Sequence, residues 1–335
     1  MIRSWIKTGA AHVMSRTGLD KLAGSLSGAR RGPLVIGYHR VVEDFAYSAE
    51  TSIPSLLVSL TMLERHLDWI GRRFRFVSLD EAGARLDGTD GREDPVAAIT
   101  FDDGYRDFYD HALPLLKRKG IPAAVFVVTD LVGTNRVQVH DKLYLLLARR
   151  YQATRAMIEG RSQAELEEVI RKLEEEGPIP EDTFRPFYSM TWEMLDEIRR
   201  AGMTIGSHTR THVLMTKESK RRVTEEAAGS RKEIERRLGT SVRHFAYPSG
   251  VFDTAAVDAV AAAGYRFGYT TCAHRDAQLP QLTAPRTLLW ENSCADPRGG
   301  FSGAILNCQI HRAFDLVIRC RQRHAASQEG QYGWL

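Results

Sequence analysis

The sequence predicts an α/β protein in which helices cover a parallel sheet. Short apolar runs alternate along the chain with longer segments whose apolar residues recur every three or four positions. This repeated alternation favours parallel strands, because a parallel neighbour is reached only through a long crossover connection. The chain has 335 residues, 43% of them hydrophobic and 26% charged, so it can bury a sizeable core and is neither disordered nor fibrous.

The first part of the pattern is regular. A strand at Leu34–Tyr38 follows Gly32 and Pro33, and the next segment repeats leucine and isoleucine on one helical face. Gly120 and Pro122 mark the end of a later helix. The elements predicted here are strands at 34–38, 76–77, 96–101 and 123–128 and helices at 56–70 and 107–119.

A helical insertion interrupts the alternation at residues 134–190. It contains two predicted helices, at 141–151 and 163–176. The alternation then resumes with helices at 192–201 and 218–238 and strands at 203–206, 245–247 and 267–271. We therefore divide the chain into a basic N-terminal helical segment (1–32), a main domain (33–290) that carries the insertion (134–190), and a C-terminal extension (291–335).

Positive charge is concentrated at the start of the chain. The net charge is +4, and residues 1–32 hold six basic residues and one acidic residue, so the remainder is close to neutral. The protein-wide basic surface of a nucleic-acid-binding protein is therefore absent, and we expect no nucleic-acid partner. The basic segment is either a solvated or packed helix face, which we favour, or a peripheral membrane contact through Ile2, Trp5 and Ile6.

The sequence shows no signal for export. No apolar run reaches the ~18 residues of a membrane span, and Lys7 and His12 interrupt the one candidate for a signal peptide. The cysteines form no Cys-x-x-Cys pair, which indicates free thiols in a reducing compartment. They are Cys272, Cys294, Cys308 and Cys320. We expect a cytoplasmic protein, with a position on the inner face of the membrane as the alternative.

Acidic residues and histidines follow two of the predicted strands. Asp102 and Asp103 end the strand at 96–101, and such a pair disfavours its own ionisation unless a cation compensates it; an ordinary Asp-Gly turn would also end a strand in this way. His208 and His212 follow the strand at 203–206. If that segment is helical they share one face and can reach one ion; otherwise they are two surface histidines. With Asp103 they offer two nitrogens and one oxygen, the ligand set of a catalytic zinc-type site.

A third segment, at the end of the strand at 245–247, contains Tyr247, Pro248, Ser249 and Gly250. This turn is either an ordinary loop or a groove wall whose backbone N–H groups approach a developing oxyanion. All three segments lie at the carboxyl ends of predicted strands, where the active sites of parallel α/β barrels are found.

Taken in order, these segments resemble the motifs of the polysaccharide deacetylases, the carbohydrate esterases of family 4 that share the NodB homology domain. The matching residues are Thr-Phe-Asp-Asp-Gly at 100–104, Ser-His-x-x-x-His at 207–212 and Phe-Ala-Tyr-Pro-x-Gly at 245–250. Residues 37–41, Gly-Tyr-His-Arg-Val, are similar to the first strand of the branch found in exopolysaccharide gene clusters. The resemblance covers residues 33–290 and implies a distorted (β/α)7 barrel.

The resemblance also implies roles for individual residues. Asp103, His208 and His212 would bind a divalent metal, zinc in the first instance, with cobalt, nickel, manganese or iron as alternatives. Asp102 would be the general base, a division that makes physical sense because the ion keeps one carboxylate charged while the other accepts a proton. The ion and the backbone N–H of Ser249 would stabilise the oxyanion, and an acid must protonate the departing amine.

The sequence departs from the family pattern at several positions. Ala246 stands where many members carry an arginine that orients the base, although the Ala-Tyr-Pro form is frequent in the exopolysaccharide-like branch. Neither the tryptophan-bearing fourth motif nor the Leu-x-His of the fifth, which supplies the general acid, can be placed. His274 and His311 are candidates for the acid by residue type only, and His39 is another possible site residue because it ends the first strand; for each of the three a structural role is the alternative. Arg286 matches either a late family position or a surface ion pair.

We therefore predict a metal-dependent deacetylase that removes the N-acetyl group from an N-acetylated sugar in a polysaccharide or precursor glycan. A cytoplasmic position favours a lipid-linked or other precursor glycan. The alternative is a catalytically weak, glycan-binding relative acting in an exopolysaccharide assembly complex, which the departures from the family pattern suggest. A third hypothesis is a metal hydrolase acting on a small amide or ester, and the oligomeric state is left open.

Overall fold

The computed structural model describes residues 2–20, 22, 32–88 and 94–316. Its centre is a parallel sheet that curls around an apolar interior. The strands are β1 (Leu34–Tyr38), β2 (Arg40–Val42), β3 (Leu57–Ser59), β4 (Arg75–Phe76), β5 (Val96–Phe101), β6 (Ala123–Val127), β7 (Thr204–Ser207), β8 (His244–Ala246), β9 (Phe267–Thr270), β10 (Ala284–Pro285) and β11 (Thr287–Leu288). The main sheet has the order β10-β9-β8-β7-β6-β5-β1-β11, with β4 beside β5, while β2 pairs with β3. Every ladder between these strands is parallel.

One short segment brings the two ends of the sheet together. Ala284 and Pro285 of β10 pair with β9, whereas Thr287 and Leu288 of β11 pair with β1. Residues 284–288 therefore act as one strand position shared by both edges, with Arg286 between the two ladders. Counted in this way, seven strand positions surround the interior, and the predicted (β/α)7 barrel is confirmed.

Helices cover the outside of the barrel and join its strands. They are α1 (Ile2–Thr17), α2 (Phe45–Ala49), α3 (Leu60–Gly71), α4 (Leu79–Leu86), α5 (Leu113–Lys119, entered through a π turn at Phe108–Ala112), α6 (Val139–Leu146), α7 (Tyr151–Gly160), α8 (Gln163–Glu176), α9 (Trp192–Arg200), α10 (Lys220–Leu238), α11 (Thr254–Ala262) and α12 (Gly303–Ile310). Local sequence sets several ends: the hydroxyl of Ser59 caps the start of α3, and Gly120, at φ 65°, ends α5.

Alternate residues of each strand contribute to two separate apolar clusters. Ile99 and Val125 belong to the larger cluster, which also contains Leu195 and Val223 of the covering helices. Their neighbours belong to the smaller one, which includes Val35, Ala98, Ala124 and Phe126. The smaller cluster therefore faces the barrel interior, and the strands bury both faces, as expected for a parallel sheet covered by helices.

The insertion consists of α6, α7 and α8, followed by a 3₁₀ segment at Glu181–Phe187. The single helix predicted at 141–151 is wrong: the chain breaks between α6 and α7, where Ala148 and Arg149 adopt left-handed backbone conformations. The three helices share a small apolar cluster centred on Leu143, Leu166 and Ile170. One side of this cluster faces the carboxyl-terminal end of the barrel.

The two ends of the described chain lie against each other. Ala11 of α1 packs with Ile305 and Cys308 of α12 and with Ala313. The side chains of Ile2, Trp5 and Ile6, for which a membrane-facing side was considered, lie outside the described part, as do residues 317–335. Cys272, Cys294 and Cys308 are buried free thiols, and Cys320 lies outside the described residues. Among the described residues, no helix combines the length and apolar character that a membrane span requires.

Candidate metal centre

The polar residues predicted for the site meet at the carboxyl-terminal rim of the barrel. His39 follows β1, Asp102 and Asp103 follow β5, and His208 follows β7. These four side chains and that of His212 line one cavity. This is the edge at which parallel barrels gather catalytic groups, because each strand ends there in a loop that is free to vary.

Asp103 lies at the centre of the cluster. Its Oδ1 is 3.2 Å from Nε2 of His212 and 3.7 Å from Nε2 of His208. One ligand atom from each of the three residues lies within 4.8 Å of the other two, so a single ion could contact all three. Asp103 turns toward the histidines in a left-handed backbone conformation, with φ 70°.

The hydrogen bonds of His208 prepare it to bind a cation. Its Nδ1 donates to the carbonyl oxygen of Ala246 at 2.8 Å, since a carbonyl can only accept. The proton is therefore on Nδ1, and the lone pair of Nε2 faces Asp103. Metal-binding histidines are usually fixed in their tautomer in this way. Two imidazole nitrogens and one carboxylate oxygen therefore fit a divalent metal such as zinc and leave a position open for water or substrate.

His208 and His212 do not lie on a helix, so the helical spacing considered from the sequence is wrong. They belong to a loop in which Thr209 and His212 both have left-handed backbone conformations. The hydroxyl of Thr209 accepts from the backbone N–H of His212 at 2.9 Å. Buried Glu226 accepts from the backbone N–H groups of Arg210 and Thr211, at 2.8 and 2.9 Å. Side-chain acceptors therefore hold this loop in place of helical hydrogen bonds.

The electrostatics of the cluster favour an added positive charge. Burial, and then the charge of Asp102, raise the pKa of Asp103 well above its usual value. Burial lowers the pKa of both His208 and His212, so neither imidazole supplies a compensating charge near neutral pH. A divalent cation would stabilise the ionised carboxylate and use both neutral imidazoles.

Asp102 has a different partner. Its two oxygens accept from Arg286 at 2.6 and 2.7 Å, and both residues are buried. Burial alone would raise the pKa of Asp102, but the Arg286 guanidinium outweighs it and holds that pKa at about 2. The surface ion pair considered for Arg286 is therefore wrong, because the pair lies inside the barrel. The two neighbouring carboxylates therefore have different surroundings. Arg286 stabilises the ionised form of Asp102, whereas Asp103 faces the histidines.

Of the histidines His39, His274 and His311, only His39 lines the cavity. Its Nε2 is 4.0 Å from Oδ2 of Asp102, and burial lowers its pKa to about 4. His274 is exposed, and His311 lies just beyond α12; neither is among the residues that line the cavity.

Only part of the turn after β8 reaches the cavity. Ser249 and Gly250 line it, and Ser249 adopts a left-handed conformation with φ 55°. Tyr247 is fully buried in the core, and neither it nor Pro248 lines the cavity. The alternation along β8 explains the difference, because it turns Tyr247 toward the helices.

The insertion supplies a histidine that the sequence analysis missed. His140 lines the cavity, and its ring centre is 5.2 Å from that of His212. Tyr105 gives its one hydroxyl proton to Asp141 at 2.6 Å, so Nε2 of His140 donates to the Tyr105 oxygen at 2.9 Å. Gln138 also reaches Asp103, at 3.4 Å. Gln138 and His140 do not follow a predicted strand. The adjacent pair His140–Asp141 is the one sequence signal that could have pointed to this part of the site.

The barrel brings a carboxylate, two imidazoles and a separate buried carboxylate into one cavity. A cation and a base placed in this way could act on the same water. Residues 89–268 match the family model for polysaccharide deacetylases, which is more than half of the sequence. The chain therefore belongs to the polysaccharide deacetylase family, whose members hydrolyse N-acetyl amide bonds.

Individual relatives agree with this family. Over 226 residues the chain is 22% identical to YxkH of Bacillus subtilis (strain 168), a protein named as a polysaccharide deacetylase; the alignment covers 67% of this chain but only 62% of YxkH, less than two thirds of its length. The solved structure of IcaB from Ammonifex degensii is similar with a TM-score of 0.57 and 20% identity, over 84% of this chain and 97% of that one. The Streptococcus pyogenes deacetylase PplD, solved with acetate, has a TM-score of 0.55 and 20% identity, over 80% and 95% of the two chains. At these identities the structural similarity concerns the fold.

Proposed function

We propose that this chain removes the N-acetyl group from an N-acetylated sugar of a glycan, with a divalent cation held by Asp103, His208 and His212. The observation that carries the proposal is the placement of this cluster beside the separately ionised Asp102 in one cavity. A cation held there would polarise the acetyl carbonyl and make an attacking water more acidic.

In this mechanism Asp102 is the general base. It would take a proton from the water that attacks the acetyl carbonyl, while Arg286 keeps its carboxylate ionised and fixed in orientation. Ser249 lines the cavity in a left-handed conformation, and its backbone N–H could donate to the oxyanion; the N–H of Gly250 already donates to Tyr247.

We assign the general acid to His39. The leaving amine needs a proton, and His39 lies on the cavity wall 4.0 Å from the base. Burial lowers the pKa of His39, so its imidazole is neutral near pH 7 and could accept the proton from Asp102 before passing it to the amine. This assignment would supply the acid that the sequence pattern lacks.

Acetate release from an N-acetylglucosamine pentamer and from a cell-envelope glycan tests the proposal. We expect turnover that a chelator abolishes and an added divalent metal restores, and Asp102→Asn should lose turnover while still binding the metal in a competition titration. Asp110→Asn, on the exposed surface, is the matched control and should behave as the wild type. Full activity after metal removal would refute the cation's role, and glycan binding without acetate release under any metal would favour the non-catalytic relative.

A further inference from the structure

The cavity above the candidate metal centre has an apolar wall. Besides the carboxylates and histidines, aliphatic side chains from three parts of the chain line the cavity. They come from the loop before β3, from the insertion and from the loop after β7, and they are Ile53, Leu56, Val139, Ile158, Leu166 and Leu214. Leu166, Val139 and Ile158 also belong to the insertion's own apolar cluster, so that cluster opens onto the cavity.

Polar side chains such as Thr154 and Gln163 also line the cavity, but its aliphatic part does not suit a purely carbohydrate ligand. Sugar hydroxyl groups lose free energy when they are buried without hydrogen-bond partners, and the apolar faces of sugar rings pack well on aromatic rings. Among the described residues, no phenyl, phenol or indole ring lines the cavity. An aliphatic chain, by contrast, gains free energy along such a wall in proportion to the area it buries.

The same wall carries positive charge. Arg155 is paired with Glu159 at 2.6 Å, whereas Arg161 makes no ion pair with a carboxylate among the described residues and donates to the backbone oxygen of Met157. A guanidinium beside an apolar surface is suited to a phosphate group that is attached to an aliphatic chain.

We propose that this apolar wall is a binding site for the aliphatic part of a lipid-linked substrate, an N-acetylated sugar joined through a phosphate to an aliphatic chain. The sugar end of this assignment rests on the proposed deacetylase function. The wall itself is a separate feature, because it is built by the insertion and two loops rather than by the barrel strands.

Two matched probes test the assignment: N-acetylglucosamine 1-(octyl phosphate) and its methyl phosphate counterpart, each assayed for acetate release below the micelle concentration. We expect kcat/KM to be at least tenfold higher for the octyl probe, because burying about two methylene groups already corresponds to about a tenfold change. Ile158→Ser should bring the ratio of the two values close to one. Met157→Ser is the control, because Met157 belongs to the same helix and apolar cluster but does not line the cavity.

Further outcomes separate the assignment from the proposed function. Equal kcat/KM for the two probes would overturn the lipid site and leave the deacetylase function intact. A tenfold preference for an N-octanoyl over an N-acetyl group in the methyl phosphate would also overturn it, because the wall would then hold the acyl chain. Arg161→Gln should raise KM for both phosphate probes and leave their ratio unchanged; an unchanged KM would remove the phosphate from the assignment.

Binding can be measured without turnover. Calorimetry on the full chain with the deacetylated product, glucosamine 1-(octyl phosphate), should give a Kd at least tenfold lower than with the methyl counterpart. If neither probe releases acetate but this difference in Kd is present, the proposed function fails and the lipid site stands. If the two Kd values are equal, the lipid site fails.

Discussion

Removal of the Arg286 guanidinium should affect both stability and activity. In Arg286→Met the carboxylate of Asp102 stays buried but loses both of the hydrogen bonds, at 2.6 and 2.7 Å, that compensate its charge. Breaking a buried ion pair from one side costs ~3–5 kcal/mol, because the remaining charge is left uncompensated. We therefore expect the free energy of unfolding to fall by about that amount at pH 7, measured by urea denaturation.

The same variant should change the pH dependence of stability. Burial raises the pKa of Asp102, but Arg286, with contributions from His208 and His39, holds it at about 2, against 3.8 for a free aspartate. The unfolded chain therefore binds a proton more readily, so the pair contributes stability above about pH 4 that is lost as the pH falls toward 2, by ~2.5 kcal/mol at most. Without the arginine, burial raises the pKa of Asp102, and this acid-sensitive contribution should disappear. The rate of acetate release should then increase with pH, as the base becomes ionised.

Two further variants test whether the Asp102–Arg286 pair has these effects on stability and pH dependence. Arg266→Met removes an exposed arginine paired with Asp87 and should cost at most ~1 kcal/mol. In the double variant Asp102→Leu with Arg286→Met, no buried charge is left alone, so most of the lost stability should return although activity does not. If Arg286→Met loses no more stability than Arg266→Met and keeps the wild-type pH profile, the pair has neither of the roles assigned to it.

Three other variants probe the loop of the two histidines, a buried histidine of α3 and the turn beside the cavity. Glu226→Gln weakens the support of the loop between His208 and His212, and we expect at least a tenfold loss of cation affinity in a competition titration, with exposed Glu225→Gln unchanged. Burial lowers the pKa of His66 to about 3, so this neutral histidine costs stability as the pH falls below about 6.5. Relative to the wild type, His66→Leu should therefore gain ~2 kcal/mol in urea denaturation between pH 7 and pH 5; an equal pH dependence of the two proteins would contradict this. A Cβ on Gly250 would lie 2.2 Å from Oγ1 of Thr271 beside the cavity, so Gly250→Ala should lower acetate release, whereas Gly239→Ala has similar φ strain but open space and should not.

Most of the barrel could be predicted from the sequence because its strands are long enough to show a pattern. β1 and β5 are five- and six-residue runs made mostly of apolar residues, and both lie where the sequence predicts them. The segment that joins the sheet edges could not be predicted, because β10 and β11 have only two residues each and show no periodicity. Their pairing depends on the two open edges that the other strands create.

The candidate site also contains residues that the sequence predicts and residues that it does not. Asp102, Asp103, His208 and His212 were predicted because each follows a strand, and parallel strands bring their carboxyl ends together. His140 could not be predicted from that rule, because it enters the cavity from the insertion and contacts His212 only after the whole chain has folded. Only the family resemblance singles out Arg286, and its pairing with Asp102, 184 residues away in the sequence, could not be predicted.

The alanine at position 246 shows why a lost motif residue need not mean a lost function. The buried Asp102 requires a guanidinium, but electrostatics does not specify which strand must supply it. Arg286 lies between the two ladders that join the sheet edges, and its backbone N–H donates to Thr270 while its side chain reaches Asp102 inside the barrel. Ala246 meanwhile uses its carbonyl oxygen to hold His208 in the tautomer that faces Asp103. A motif defined by sequence position lacks its arginine at position 246, although Arg286 supplies a guanidinium to Asp102 in the folded barrel.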